Sequence, residues 1–189
     1  MGNQHIRPQV KTVAAPMKWR ENGHFYQFRL ATLADRKAII DNINTICAET
    51  IYLPSNWYVP TYAWETILNG SEADGIQQII AVVKVNEQVI GHGRLFLEGF
   101  GHKNKHVIDV GLALLAPYRN MGIGSALLSY LIDWAETAGY EKMTATILSN
   151  NIRARKVFDK HGFEAEGLRV QQFKIGDKYL DEVLVAKFL

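Results

Sequence analysis

The stretch KHVIDVGLALLAPYRNMGIGSALL, residues 105–128, couples an almost unbroken apolar run to a glycine pair at the entrance of a helical pattern. A strand that is apolar on both faces must be covered on both sides, so residues 105–116 predict the central strand of a layered α/β domain. Glycine inside a helix costs about 1 kcal/mol relative to alanine, so Gly122 and Gly124 need another reason to stand there. The first turn of a helix carries unpaired N–H groups and the positive end of the helix dipole, and it attracts anions. Glycine removes the side chains that would block close approach. The segment therefore reads as a nest of backbone donors for a phosphate or pyrophosphate.

The remaining patterns alternate along the chain without repeats or low-complexity tracts. Residues 24–32 alternate as a strand, and 34–49 place Ile39, Ile40, Ile43, Ile46 and Cys47 at helical spacing. Two prolines break 50–60, and 61–70 read as a short helix ended by Gly70. Two β-rich runs joined at Asn86-Glu87 predict a hairpin. Beyond the glycine pair come a helix with Ile123, Leu127, Leu128, Leu131 and Ile132 on one side, a strand over 141–148, and a helix capped by Asn151. Two long strands turning at Gly176-Asp177 finish the chain. The expected fold is α/β, with a mixed, mostly antiparallel sheet of about seven strands flanked by four helices.

Length and composition suit one domain, taken here as residues 24–189 behind an N-terminal extension, 1–23, draped on the surface or poorly ordered. A net charge of +2 without a basic block gives no reason to expect nucleic acid. No apolar run approaches the roughly 20 residues needed to cross a bilayer, and the first residues lack the apolar core of a secretory signal. A single cysteine, Cys47, fits a reducing, cytoplasmic setting. His92, His102 and His106 are scattered, without carboxylates at ligand spacing, so no metal is expected.

Three anion motifs compete for 116–128. No lysine follows the glycines, as a phosphate-binding P-loop requires. Leu127 stands where a dinucleotide fingerprint needs a third glycine. Arg119-x-x-Gly122-x-Gly124 after a long central strand resembles the pyrophosphate loop of the GNAT superfamily, the acyl-CoA-dependent N-acetyltransferases. A second segment, 151–167, is similar to the family's pattern through Asn151, Ala154, Phe158, Gly162, Phe163 and Gly167.

The resemblance implies acetyl-CoA as co-substrate, no metal, and roles by position. Leu112, Ala113 and Leu114 would face the pantetheine and thioester. Arg119, Asn120, Met121, Gly122, Ile123, Gly124 and Ser125 would hold the pyrophosphate, Arg119 from the rim. Asn151 would bond the pantetheine or serve only as a helix cap. Asp109 lies where many members place a catalytic base, with Glu98 and Glu65 as alternatives. Many members carry a proton-donating tyrosine where this chain has Phe158. Either Tyr118, Tyr140 or His161 substitutes for it, or the thiolate leaves unassisted.

Acceptor choice is expected in 47–70, where Tyr52, Trp57, Tyr58, Tyr62 and Trp64 are interleaved with Glu49 and Glu65. Such a wall suits a cationic amine, with Glu49, Trp57, Tyr58 and Glu65 as candidate contacts. The same aromatics could instead pack helices onto the sheet. The expected activity is acetyl transfer to the primary amine of a small molecule. Acetylation of a protein amine and a non-catalytic acyl-CoA-binding module are the rivals. Homodimers are frequent in the family.

Overall fold

The computed structural model describes residues 16–21, 23–53, 55, 57, 58, 68, 79–97 and 102–189. In chain order these residues form β1 (Met17–Glu21), β2 (His24–Leu30), α1 (Arg36–Cys47), β3 (Ile79–Val85), β4 (Gln88–Phe96) and β5 (Val107–Leu114). There follow α2 (Ile123–Ala138), β6 (Lys142–Leu148), α3 (Ile152–Lys160), β7 (Glu164–Ile175) and β8 (Lys178–Phe188). The strands make one sheet in the order β1-β2-β3-β4-β5-β6-β8-β7. Every neighbouring pair is antiparallel except β5 and β6.

The class is the expected α/β, with eight strands rather than about seven. Three α-helices have bounds among the described residues, and the helix expected over 61–70 lies outside them except for the helical, buried Leu68. The additional strand corrects the expectation for the N-terminal segment. Met17 and Trp19 alternate with exposed Lys18 and Arg20, and the Trp19 ring meets Tyr26 with centroids 5.6 Å apart. Residues 17–21 thus pair edge to edge with β2, pack one half-buried face on the α2-side core and extend the sheet by one strand.

Alternation along the strands divides the core in two. One face packs Phe28, Ala81, Ile90, Leu95, Ile108 and Val110 against Ile123, Leu127, Leu128 and Leu131 of α2. A Cβ on Gly93 would sit 2.5 Å from Leu131 Cδ1, so this glycine lets α2 lie close to β4. The other face carries Ile80, Val82 and Val89 beneath Ile39, Ile43 and Cys47 of α1. Asn42 Nδ2 donates to the Val89 carbonyl at 2.9 Å and fixes α1 along that face.

The entry to α1 is held by a buried carboxylate. Arg29 donates two hydrogen bonds to Asp35, at 2.7 and 2.9 Å, and the Thr32 N–H donates a third at 2.9 Å. Burial alone would raise the Asp35 pKa, but the Arg29 guanidinium and Thr32 overcome it and hold the carboxyl at about 2. Truncating one partner of such a pair strands the other's hydrogen-bonding capacity. Asp35→Ala is expected to cost about 2–3 kcal/mol in urea unfolding, and Arg29→Ala added to it should cost little more because the two share one interaction. Additive losses would show that they act separately.

Candidate active site

The sheet is not closed at its centre. β5 pairs with β6 only where Val107, Ile108 and Asp109 meet Lys142, Met143 and Thr144. Beyond that point β5 runs on to Leu114 beside β4, and β6 runs on to Leu148 beside β8. The two strands therefore diverge past Asp109 and Thr144. Leu115 donates its N–H to Ile90 of β4 at 3.0 Å. Successive residues of a strand point their backbone groups in opposite directions, so Leu112 and Leu114 direct theirs into the gap. Ala113 turns its backbone toward β4. Of the three residues expected to face the pantetheine and thioester, Leu112 and Leu114 thus present their backbone groups to the gap.

A cleft of about 480 Å³ occupies the gap. Val110–Leu114 form one wall, Thr146–Leu148 the other, and Asn151, Ala154, Val157 and Phe158 line it from α3. At the mouth, Asn120 and Gly122 adopt left-handed backbone, φ 61° and 79°, on either side of Met121. That alternation folds the loop so its N–H groups converge with those of Ile123, Gly124 and Ser125. Ala126 donates the first intrahelical bond, to Gly122 at 3.0 Å, which leaves the preceding donors for a ligand. Met121 and Ile123 turn their side chains to the core and can offer backbone only.

The glycines have a second reason to be there. A Cβ on Gly122 would lie 3.3 Å from the Trp19 ring, and one on Gly124 would lie 3.4 Å from Leu114 Cδ1. Gly124 thus seats α2 against β5 as well as opening the helix entrance.

Arg119 is not a free rim cation. It donates to Glu49 through both terminal nitrogens, at 2.6 and 2.7 Å, and through Nε to the Leu114 carbonyl at 2.8 Å. Its guanidinium also lies 4.8 Å from the Tyr52 ring centroid. The pair neutralises Glu49, expected from sequence to meet the acceptor, and ties the last carbonyl of β5 to the segment after α1. Tyr58 lines the cleft, with its N–H bonded to Asn44 at 2.7 Å. Trp57 does not line it and is 66% exposed. Glu65 and Glu98 lie outside the described residues.

Asn151 caps α3, its Oδ1 accepting from the Ala154 N–H at 3.1 Å, which leaves Nδ2 as the group able to reach into the cleft. Phe158 is buried edge-on against Phe163, centroids 4.9 Å apart. None of the three groups expected to replace a tyrosine there lines the cleft. Tyr140 stacks on Trp134 at the far end of α2. Tyr118 lies near enough to Tyr26 to raise its pKa, after burial the larger cause. His161 bridges α3 and α2, Nδ1 donating to Val157 at 2.8 Å while Nε2 accepts from Ser129 at 3.1 Å.

Asp109 is buried at the point of divergence, within 3.4 Å of the Thr144 hydroxyl. Cross-strand pairing puts Phe96 opposite Asp109, Arg94 opposite Gly111 and His92 opposite Ala113, all on the α1 face. His92 and Arg94 line the cleft, and sequence reading missed them as site residues. The alternation in VIGHGRLF was the signal: it puts His92, Arg94 and Phe96 on one face. Among the described residues no cluster of histidine, cysteine or carboxylate could hold a metal.

His92 is 6% exposed and its Nδ1 has no partner among the described residues. Burial, with the Arg94 charge adding to it, pushes its pKa down to about 4. The unfolded imidazole takes its proton near pH 6.5 and the folded one near 4, so stability falls as pH drops through that interval. The loss should be on the order of 3 kcal/mol between pH 7 and 4. His92→Gln is expected to flatten this dependence in urea unfolding, and an unchanged slope would contradict a buried neutral imidazole.

Known proteins resemble this chain in sequence and in fold. The sequence profile of the Acetyltransferase (GNAT) family matches residues 41–163. An L-amino acid N-acetyltransferase of Escherichia coli is 26% identical over 127 residues, 67% of this chain and 75% of that protein. The crystal structure of a GNAT-family acetyltransferase from Streptococcus pneumoniae superposes with a TM-score of 0.78 at 25% identity, over 87% of this chain and 99% of that one. A phosphinothricin acetyltransferase from Sinorhizobium meliloti, solved in complex with acetyl-CoA, superposes with a TM-score of 0.76 at 22% identity, over 87% and 88% of the two chains.

Proposed function

The chain belongs to the acetyltransferase (GNAT) family and is an acyl-CoA-dependent N-acetyltransferase, and from that premise we propose that it moves an acetyl group from acetyl-CoA to the primary amine of a small molecule by direct attack. The observation that supports this reading most is the divergence of β5 from β6 past Asp109, which leaves the inward backbone groups of Leu112 and Leu114 without a strand partner. Acetyl-CoA supplies the activated acyl group and a thiolate leaving group. An extended pantetheine can pair with Leu112 and with the Leu114 N–H as a missing strand would, the Leu114 carbonyl being held by Arg119. The Leu114 N–H then polarises the thioester carbonyl, and the donors of 120–125 take the pyrophosphate.

The acceptor approaches from the α1 face. An alkyl amine is protonated near neutrality and must lose a proton to attack. Of the two carboxylates that line the cleft, Glu182 is held by Arg169, and Asp109 in its ionised form takes that proton, directly or through water. Thr144 orients it. With Phe158 in place of a hydroxyl donor, the thiolate leaves without assistance. Cys47, the last residue of α1, lies in the cleft wall and has a raised pKa from burial, so it is a poor nucleophile. Direct transfer needs no acyl-cysteine, and holding amine and thioester together supplies much of the rate. The similarity to an amino-acid acetyltransferase favours a small acceptor.

Coenzyme A release at pH 8 with polyamine, amino-acid, aminoglycoside and short-peptide acceptors tests the reading. One small-molecule class should be turned over, and Asp109→Asn should lower kcat at least about 100-fold with acetyl-CoA affinity unchanged. Turnover of peptides alone would assign a protein substrate. Tight acetyl-CoA binding without any turnover would indicate a binding module.

A further inference from the structure

Most charges around the cleft already have a partner on the protein. Arg119 is engaged by Glu49, and Glu182 accepts from Arg169 at 2.6 Å. Arg153 stands at the rim by α3 with its guanidinium 5.8 Å from the Tyr52 ring centroid. Arg94 differs. It rises from β4 on the α1 face, and its stem crosses Gly111 of β5 so closely that a Cβ there would lie 3.0 Å from Nε. Its guanidinium lies 4.8 Å from the Phe96 ring centroid, and among the described residues it meets no carboxylate.

The place matters as much as the charge. Arg94 sits one cross-strand step from Asp109, whose own partner on β4 is Phe96. Gly111 adjoins both, and Ala113 follows it along β5 opposite His92, so the floor beside the pair carries almost no bulk. The anion-binding donors of 120–125 belong to the entrance of α2, which packs on the opposite face of the sheet. Arg94 is therefore on the acceptor's side. A cation and a buried carboxylate side by side, over a floor without bulk, match a molecule that carries ammonium and carboxylate on neighbouring atoms. The guanidinium fork suits a carboxylate in two-point contact, and stacking on Phe96 restricts the rotamers that the bond would otherwise have to fix.

From this geometry we infer that Arg94 reads the carboxylate of the acceptor, and that the acceptor is an α-amino acid or a close analogue with its amine turned toward Asp109. Gly111 helps to set this position, because a Cβ there would press on the Arg94 stem at 3.0 Å and push it aside by a few tenths of an ångström. The inference rests on the small-amine reading above and narrows it to one substrate class.

The test compares the common L-amino acids, each beside its own carboxamide, at saturating acetyl-CoA. Wild type should favour the acid of the preferred pair, and Arg94→Gln should lower kcat/KM for that acid about 10- to 100-fold, chiefly through KM. The carboxamide should change less than about threefold, and Arg94→Lys should recover part of the loss. Equal losses for acid and carboxamide, or no loss for either, would overturn the inference and leave the small-amine reading standing. Turnover of no small acceptor by wild type would overturn both. Arg94 is exposed, so thermal melting of its two variants should match wild type, which separates these outcomes from misfolding.

Discussion

Backbone hydrogen-bonding capacity in the middle of a sheet has to be used, and at the centre of this one it is not used by another strand. β5 and β6 form the single parallel pair, and they separate after Asp109 and Thr144. An edge inside a sheet is a liability unless something occupies it. Here the gap is walled by apolar residues of β5, β6 and α3 and is closed at its mouth by a donor-rich turn. An extended, polar-backboned ligand fits these terms, and pantetheine with its two amides is such a ligand.

The rest of the structure supports that opening. β4 stays paired with β5 to Leu114, and α2 packs beneath through Gly93, so the strand keeps its shape after losing its other neighbour. Arg119 takes the Leu114 carbonyl and Glu49 together and holds the end of β5 against the segment after α1. The sheet also sorts the chemistry by face. The entrance of α2 offers anion-binding donors on one side, while Asp109, Arg94 and His92 gather on the other. Donor and acceptor can thus approach one reacting centre from different directions.

Much of this was legible in residue order. The apolar run of β5, the Asn86-Glu87 turn with φ 47° and 63°, the Asn151 cap and the paired glycines all have local causes, and the structure places each as expected. Longer-range facts were less legible. Nothing local says that Glu49 meets Arg119, because 70 positions separate them. Trp19 joins the sheet because an aromatic partner waits on β2, and the short alternation of 17–21 does not announce that. His92 and Arg94 were overlooked for a different reason: their importance comes from standing across β5 from Ala113 and Gly111, a relation that only strand register creates.

Amide hydrogen exchange resolved by residue, with and without acetyl-CoA, tests the central claim most directly. Binding should protect the Leu112 and Leu114 amides together with those of 121–125, while Ala113, whose N–H already faces β4, should change little. Protection confined to other elements, or equal protection of Ala113 and its neighbours, would contradict a co-substrate that takes the place of a missing strand.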